Sequence, residues 1–324
     1  MMRYKFGPME GLSVTLTTRR RALALASIGL TATLALAACG GSSGTAGTPA
    51  AGPTSSSFDP STVTADSALA AMVPSSVSSD GKLLYGTDAS YAPSEFLADD
   101  GTTIIGFDVD LGMAIAAKLG LQGDFQNSNF DSIIVGVNKG RYDAGMSSFT
   151  IRSDREAEAN MISYFSAGTA WAVKTGNPDN ITPDTACGRV IAVQKATVQV
   201  DDLNARSKKC TDAGNDAISI QQYTLQSEAT TAVISGKADA MLADSPIVAY
   251  AITQTNGQLE QTGDIYASAP YGIVVPKDAT DFAKAVQGAV QALIDDGTYQ
   301  TILDDWGVGD GAITKSQVNP PTSL

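Results

Sequence analysis

The chain has no histidine among its 324 residues, and that one absence removes several classes of chemistry. Ser-His-Asp and Cys-His nucleophiles, imidazole metal sites and histidine acid/base catalysis are all excluded, leaving carboxylates, Lys, Tyr and Cys as reacting groups. Positive charge is scarce as well. With 21 basic against 34 acidic side chains the formal net charge is −13, and such a chain has little to neutralise phosphates, which argues against nucleic acid as a partner. Three cysteines without a Cys-x-x-Cys spacing assemble neither a thiol redox motif nor a zinc site. No phosphate-binding loop is present: Gly307-Val308-Gly309-Asp310-Gly311 follows a predicted helix rather than a strand and reads as a terminal loop. No cofactor and no metal are therefore expected. What the chain does have is apolar content, 43% of residues, enough at this length for one large core or two ordinary ones.

The longest uncharged apolar run, Ala22 to Ala38, follows Arg19, Arg20 and Arg21 and ends in small residues before Cys39-Gly40-Gly41. It is short for a membrane span of about 20 residues, and a basic run followed by such a stretch is the pattern of an export signal. Leu36-Ala37-Ala38-Cys39 resembles the lipobox of bacterial lipoproteins. The resemblance implies removal of residues 1–38, lipidation at Cys39 and a location on the outer face of the cell membrane; the alternative is a retained transmembrane anchor. Removal takes away Arg3, Lys5, Arg19, Arg20 and Arg21 against the single Glu10, so the exported body is more acidic still. Residues 39–62 are mostly Gly, Ser, Thr, Ala and Pro, a composition too poor in large apolar side chains to repay ordering, and they are expected to be a tether. With Cys39 lipidated outside the cytoplasm, a disulfide between Cys187 and Cys210 is the economical reading, the alternative being two buried free thiols.

From Lys82 onward, strand and helix patterns alternate. Strands are predicted at Lys82–Gly86, ending at Phe125, and at Tyr142–Met146, Arg189–Val193, Ala217–Ile220, Ala238–Leu242 and Tyr271–Val275. Helices are predicted at Phe107–Leu119, where Phe107, Leu111, Ile115 and Leu119 recur on one face, and at Asn129–Asn138, Val198–Lys209, Gln226–Ser235 and Pro246–Gln254, then at 279–295 and 298–305. Ser153 with Glu156 three residues later has the spacing of a capping box. Alternation of this kind argues for the α/β class, with mostly parallel sheets flanked by helices, in two lobes.

Three segments carry a resemblance: Gly86-Thr87-Asp88-Ala89-Ser90-Tyr91-Ala92-Pro93, Gly106-Phe107-Asp108-Val109-Asp110-Leu111, and Met146-Ser147-Ser148-Phe149-Thr150 with Arg155. In this order the chain from Lys82 to Gly307 resembles the polar amino-acid-binding proteins of ABC importers, family 3 of the extracellular solute-binding proteins. The resemblance implies a two-lobed periplasmic-binding-protein-like (type II) fold with a two-strand hinge. Lobe 1 would take residues 80–168 plus 270–312, and lobe 2 residues 169–269, with crossings near Ala167-Gly168 and Ala269-Pro270. It implies a monomeric receptor that captures a free amino acid by hinge closure and delivers it to a permease, with no enzymatic activity.

The resemblance also assigns roles. Arg155 would grip the ligand carboxylate, helped by Ser147, Ser148 and Thr150 and, from the other lobe, by Thr197 and the Val198 amide. A guanidinium suits this task because its planar fork meets two oxygens at once. Asp244 would pair with the α-ammonium, or cap the helix that follows it. Tyr91 and Phe130 would sandwich the side chain, with Asp88 and Gln194 at its far end. Arg152 reads as surface. Ala196-Thr197-Val198 stands where relatives have Gly-Thr-Thr or Gly-Thr-Gly, which questions close backbone approach there. A carboxylate at Asp88 disfavours aspartate and glutamate as ligands unless Lys195 points inward, leaving arginine, lysine, histidine or glutamine. Two alternatives share the fold: a dehydratase of cyclohexadienyl substrates using Asp88 or Glu95 as general acid, and a sensory receptor for a membrane kinase.

Overall fold

The structure, a computed structural model, describes residues 57–322. The expected signal segment, the lipidation at Cys39 and most of the expected tether lie outside the described residues. The last residues of that tether, from Ser57, are not free chain: Asp59 caps a 3-10 turn at Pro60–Thr62, Phe58 and Val63 pack on a hydrophobic core, and the Ser57 hydroxyl bonds to Asp305 at 3.0 Å. Among the described residues no helix is long and apolar enough to cross a membrane.

Two short helices, α1 (Ser67–Ala70) and α2 (Ser75–Ser78), lead into β1 (Lys82–Thr87). A small antiparallel sheet of β2 (Ser90–Tyr91), β3 (Glu95–Leu97) and β4 (Ile104–Ile105) follows, then α3 (Phe107–Lys118), β5 (Gln122–Asn127), α4 (Phe130–Asn138), β6 (Ala144–Thr150) and α5 (Ser153–Glu158). The chain then runs through a long strand, β7 (Ala159–Lys174), and through β8 (Val190–Gln194), α6 (Val198–Asp212), β9 (Ser219–Tyr223), α7 (Gln226–Ser235), β10 (Ala240–Asp244) and α8 (Ser245–Gln254). It returns along β11 (Leu259–Pro276) and ends in α9 (Thr280–Asp295) and α10 (Thr298–Asp305).

The main sheet has eight strands in the order β5-β1-β6-β11-β7-β10-β8-β9. The outer pairs β1–β5 and β1–β6 on one side, and β8–β9 and β8–β10 on the other, are parallel, as crossover helices require. The two long central strands are antiparallel to each other and join the halves. Near Ala167, paired with Ala269, the neighbours change: β11 bonds β6 through Tyr271 and Gly272, while β7 bonds β10 through Thr169–Val173. The apolar cores divide at the same place. One contains Leu83, Phe107, Leu111, Ile115, Tyr164, Ile273, Val286 and Leu293; others, around Trp171, Ile191, Leu203 and Leu242 and around Met241 and Val248, lie in the second half. Separate cores joined by two strands make a two-lobed α/β molecule with a hinge.

Sequence periodicity found the amphipathic elements and the Tyr271–Val275 part of β11, and missed β7 and the first half of β11. β7 is buried nearly throughout and rich in Ala, Ser and Gly, so it shows no alternation between faces. β6 begins at Ala144 rather than Tyr142, whose ring instead packs against Gly86 and Gly136. The predicted capping box does not form: Ser153 is already inside α5, and the capping position falls to Arg152, which makes no side-chain cap bond. The disulfide is present, joining Cys187 to Cys210 with Cα atoms 5.6 Å apart, wholly within the second half.

Candidate functional site

The C-terminal ends of β1, β6 and β10 and the start of α6 converge between the lobes, where α/β sheets meet their ligands. They surround a narrow cavity of about 10 Å³ lined by Asp88, Tyr91, Glu95, Phe130, Ser147, Ser148, Thr150, Arg155, Gln194, Thr197, Val198, Gln199 and Asp244. Every residue singled out from the sequence as a ligand contact is on this lining. Glu95 and Gln199 join them; the sequence assigns neither a ligand contact, since Glu95 sits in a three-residue strand at the middle of the small sheet and Gln199 in the first turn of a helix, with no local mark of their orientation.

Arg155 is buried on α5, with its guanidinium carbon 5.4 Å from the Phe130 ring centroid and 5.5 Å from that of Phe149. Those two rings stack on each other at 4.7 Å, so the cation lies against an aromatic wall. Arg155 donates to the Thr150 carbonyl at 2.9 Å and, across the cleft, to the Ala196 carbonyl at 3.0 Å. Burial, with Arg152 nearby, lowers its pKa to about 10, which leaves it charged at neutral pH. Ala196 holds that carbonyl in place with φ of 63°, the left-handed region usual for glycine, so alanine achieves here the approach that its relatives' pattern assigns to glycine. Thr197 stands at the start of α6 with its hydroxyl on the Gln194 carbonyl at 2.8 Å. The first-turn amides of such a helix lack internal partners and attract anions.

Asp244 occupies the capping position of α8 but its side chain caps nothing. It turns inward, where Oδ2 accepts from the hydroxyls of Tyr91 at 2.9 Å and Tyr271 at 2.8 Å, and Oδ1 from Gln199 at 2.8 Å. Burial raises its pKa while these bonds hold it down. Tyr91 is thus more than an aromatic face: its ring enters the core cluster of the opposite lobe beside Ala170, Ala243 and Ile247, and its hydroxyl also accepts from the Asp244 amide at 3.2 Å. Asp88 is likewise engaged, accepting from Ser90 at 2.6 Å, from the Phe130 amide at 2.9 Å and from Gln194 of the opposite lobe at 3.1 Å. Ser147 links Asp88 to Glu95, accepting from the Asp88 amide at 3.0 Å and donating to Glu95 at 2.7 Å. Ser148, at φ of 51°, donates its amide to Asp108 at 3.0 Å.

Two charged side chains at the rim form ion pairs across the cleft. Arg152, read as surface, pairs with Asp201 of the opposite lobe at 2.7 Å as well as with Asp154 at 2.5 Å. Lys195 does not line the cavity; it pairs with Asp131 across the cleft at 2.9 Å. Among the described residues no group of side chains has the makings of a metal site.

Comparison with known proteins agrees with this architecture. Residues 83–309 match the family of bacterial extracellular solute-binding proteins, family 3. An arginine-binding protein of Corynebacterium glutamicum is 38% identical over 252 residues, covering 78% of this chain and 82% of that protein. An ancestral arginine-binding protein solved with bound arginine superposes with a TM-score of 0.65 at 30% identity, covering 70% of this chain and 98% of the other. An ancestral amino-acid-binding protein described as a precursor of cyclohexadienyl dehydratase gives a TM-score of 0.64 at 29% identity, covering 71% and 97%. The chain belongs to family 3 of the bacterial extracellular solute-binding proteins, the amino-acid-binding components of ABC transporters.

Proposed function

We propose that this protein is a lipid-anchored, extracytoplasmic receptor for arginine that closes around its ligand and presents it to an ABC permease. The observation that carries the reading is the set of carboxyl groups on the cavity: Asp88, Glu95 and Asp244 face it with Arg155 as the single cation of the lining. Arg155 and the start of α6 fit a carboxylate, Asp244 an ammonium, and the remaining carboxyl groups a distal cation. An acidic ligand side chain would meet like charges in a desolvated space. With Lys195 held at Asp131, no second cation of the lining offsets them. The names of the relatives support the same choice.

Lobe 1 is assigned residues 80–168 plus 270–312 and lobe 2 residues 169–269, a division supported by the separate cores and by the change of strand partners near Ala167 and Ala269. A ligand held by Arg155 of one lobe and by Asp244 of the other makes its full set of contacts only when the lobes meet, and that difference in affinity drives closure. Micromolar binding, about −8 kcal/mol, is within reach of such a set.

The test is a thermal-shift screen of the refolded protein lacking residues 1–39 against arginine, lysine, glutamine and glutamate. Arginine at a hundred times its dissociation constant adds about 2.7 kcal/mol of stability. A shift with glutamate and none with arginine overturns the assignment. Turnover of a cyclohexadienyl acid by the same preparation would move the protein to the dehydratase reading, for which Asp88 or the buried Glu95 is the candidate acid.

A further inference from the structure

At the inner wall of the cavity, Glu95 of β3 and Asp108 of α3 lie side by side, both fully buried. They are anchored on consecutive residues, Glu95 on Ser147 and Asp108 on Ser148, and each keeps one oxygen, Glu95 Oε2 and Asp108 Oδ1, buried without a hydrogen-bond partner. A single proton between these two carboxyls would give both orphan oxygens a partner, whereas two buried carboxylates have no donor to offer each other. The other contacts show how the pair is held. Asp108 Oδ2 accepts from the Tyr164 hydroxyl at 2.7 Å and from the Ser148 amide at 3.0 Å, with the Ser148 hydroxyl at 3.5 Å. Glu95 Oε1 accepts from Ser147 at 2.7 Å.

We propose that Glu95 and Asp108 share one proton, and that the guanidinium of arginine expels it, so that binding of a cationic side chain releases a proton to solvent. The inference rests on the arginine reading above. Of the two carboxyls only Glu95 lines the cavity, so Glu95 is the one a ligand reaches, while Asp108 is a positioning residue behind it. A cation beside Glu95 favours its ionised form, and the bonds from Tyr164 and Ser148 sustain Asp108 as a carboxylate. The exchange conserves buried charge: one positive charge enters as a guanidinium and one leaves as a proton. A neutral amide side chain offers no such replacement, so glutamine binding leaves the proton in place, and rising pH favours arginine over glutamine.

The surroundings support a proton held at neutral pH. The charged and titratable groups around the pair are Asp88 after β1, Tyr91 on β2 and Tyr164 on β7, with Arg155 on the lining as the cation. Desolvation first, and then the neighbouring carboxylate, push Glu95 well above the usual range, and burial raises Asp108 to about 6.

Calorimetric titration with arginine between pH 6 and 8, in buffers of different ionisation enthalpy, tests this on the wild type, Glu95→Gln and Asp108→Asn. The wild type is expected to release close to one proton, with affinity rising by up to about tenfold per pH unit. Both variants should release none and bind with flat pH dependence. In Glu95→Gln the introduced glutamine cannot ionise; in Asp108→Asn the introduced amide donates to Glu95, which then ionises before ligand arrives. A merely structural role for Asp108 would lower affinity without removing the proton. Arginine binding to the wild type with no proton released, or release undiminished in Glu95→Gln, overturns the proposal. Should the wild type not bind arginine, the arginine reading falls. Infrared difference spectra of wild type against Glu95→Gln at neutral pH then judge the pair alone, and a missing protonated-carboxyl band sinks it.

Discussion

Arg155 combines burial, two carbonyl partners and an aromatic wall, and its guanidinium has more N–H groups than those two bonds use. The remaining donors are what a ligand carboxylate would engage, each bond being worth roughly 1.5 to 3 kcal/mol. Arg155→Ala is therefore expected to weaken arginine binding by about a hundredfold or more in calorimetry, with an unchanged circular dichroism spectrum; unaltered affinity would remove Arg155 from the site. Ala196 poses a different question at the same contact. An alanine in the left-handed region is strained by about 1 to 2 kcal/mol, while a glycine there adds about 0.4 to 1 kcal/mol of unfolded-state entropy to be lost on folding. Strain outweighs that entropy, so Ala196→Gly should raise stability in urea by a few tenths to about 1 kcal/mol. A net loss would mean that the backbone at 196 carries no strain.

The contacts between the lobes come from elements that are far apart in sequence. The turn before β2 and β2 itself place Ser90 and Tyr91 against α7 and β10, through the Gln226 amide at 3.1 Å and Asp244. The end of β8 reaches Asp88 through Gln194. The rim pairs Arg152–Asp201 and Lys195–Asp131 add exposed electrostatics, each worth about 0.2 to 1 kcal/mol and screened by salt. The disulfide acts elsewhere. It ties α6 to the segment before β8, both in lobe 2, and closes a loop with a sequence separation of 23. Replacing Cys187 and Cys210 by serine is expected to lower stability by about 3 kcal/mol while leaving arginine affinity within twofold, because neither cysteine lines the cavity. A large loss of affinity in protein that remains folded would show that the crosslink shapes the site.

For the whole molecule, charge and titration act in the same direction. Asp88, Asp108, Asp244 and Glu95 all have folded pKa values raised, with burial as the largest cause in each. A carboxyl whose pKa is higher in the folded state binds more protons there than when unfolded, so its contribution is complete below the ordinary carboxylate range and is lost as pH rises through the folded value. For Asp108 that window runs from about 4 to about 6, and Glu95 extends it upward. The net charge of −13 adds self-repulsion that also eases on acidification. Ligand-free protein is therefore expected to melt higher at pH 5 than at pH 8, with Asp108→Asn reducing the difference. A melting point that instead falls steadily from pH 8 to pH 5 would show that these carboxyls are ionised in the fold.

The sequence by itself determined the class of the molecule and the inventory of its site. The missing histidine, the alternation of strand and helix, and the segments around Asp88, Ser147, Arg155 and Asp244 are local, readable over a few residues, and with the family resemblance those segments carry they sufficed for an α/β solute-binding protein. The tertiary structure decided what those residues do to one another. The Arg152 to Asp201 pair, the Tyr91 hydroxyl on Asp244, the retreat of Lys195 to Asp131 and the Glu95–Asp108 pair each join positions that only chain folding brings together. β7 was hidden for a related reason: burial on both faces erases the alternation by which a strand is seen from sequence. Periodicity records which face of an element meets a core, whereas partners across a cleft and the loss of water around a carboxyl depend on residues that local pattern does not link.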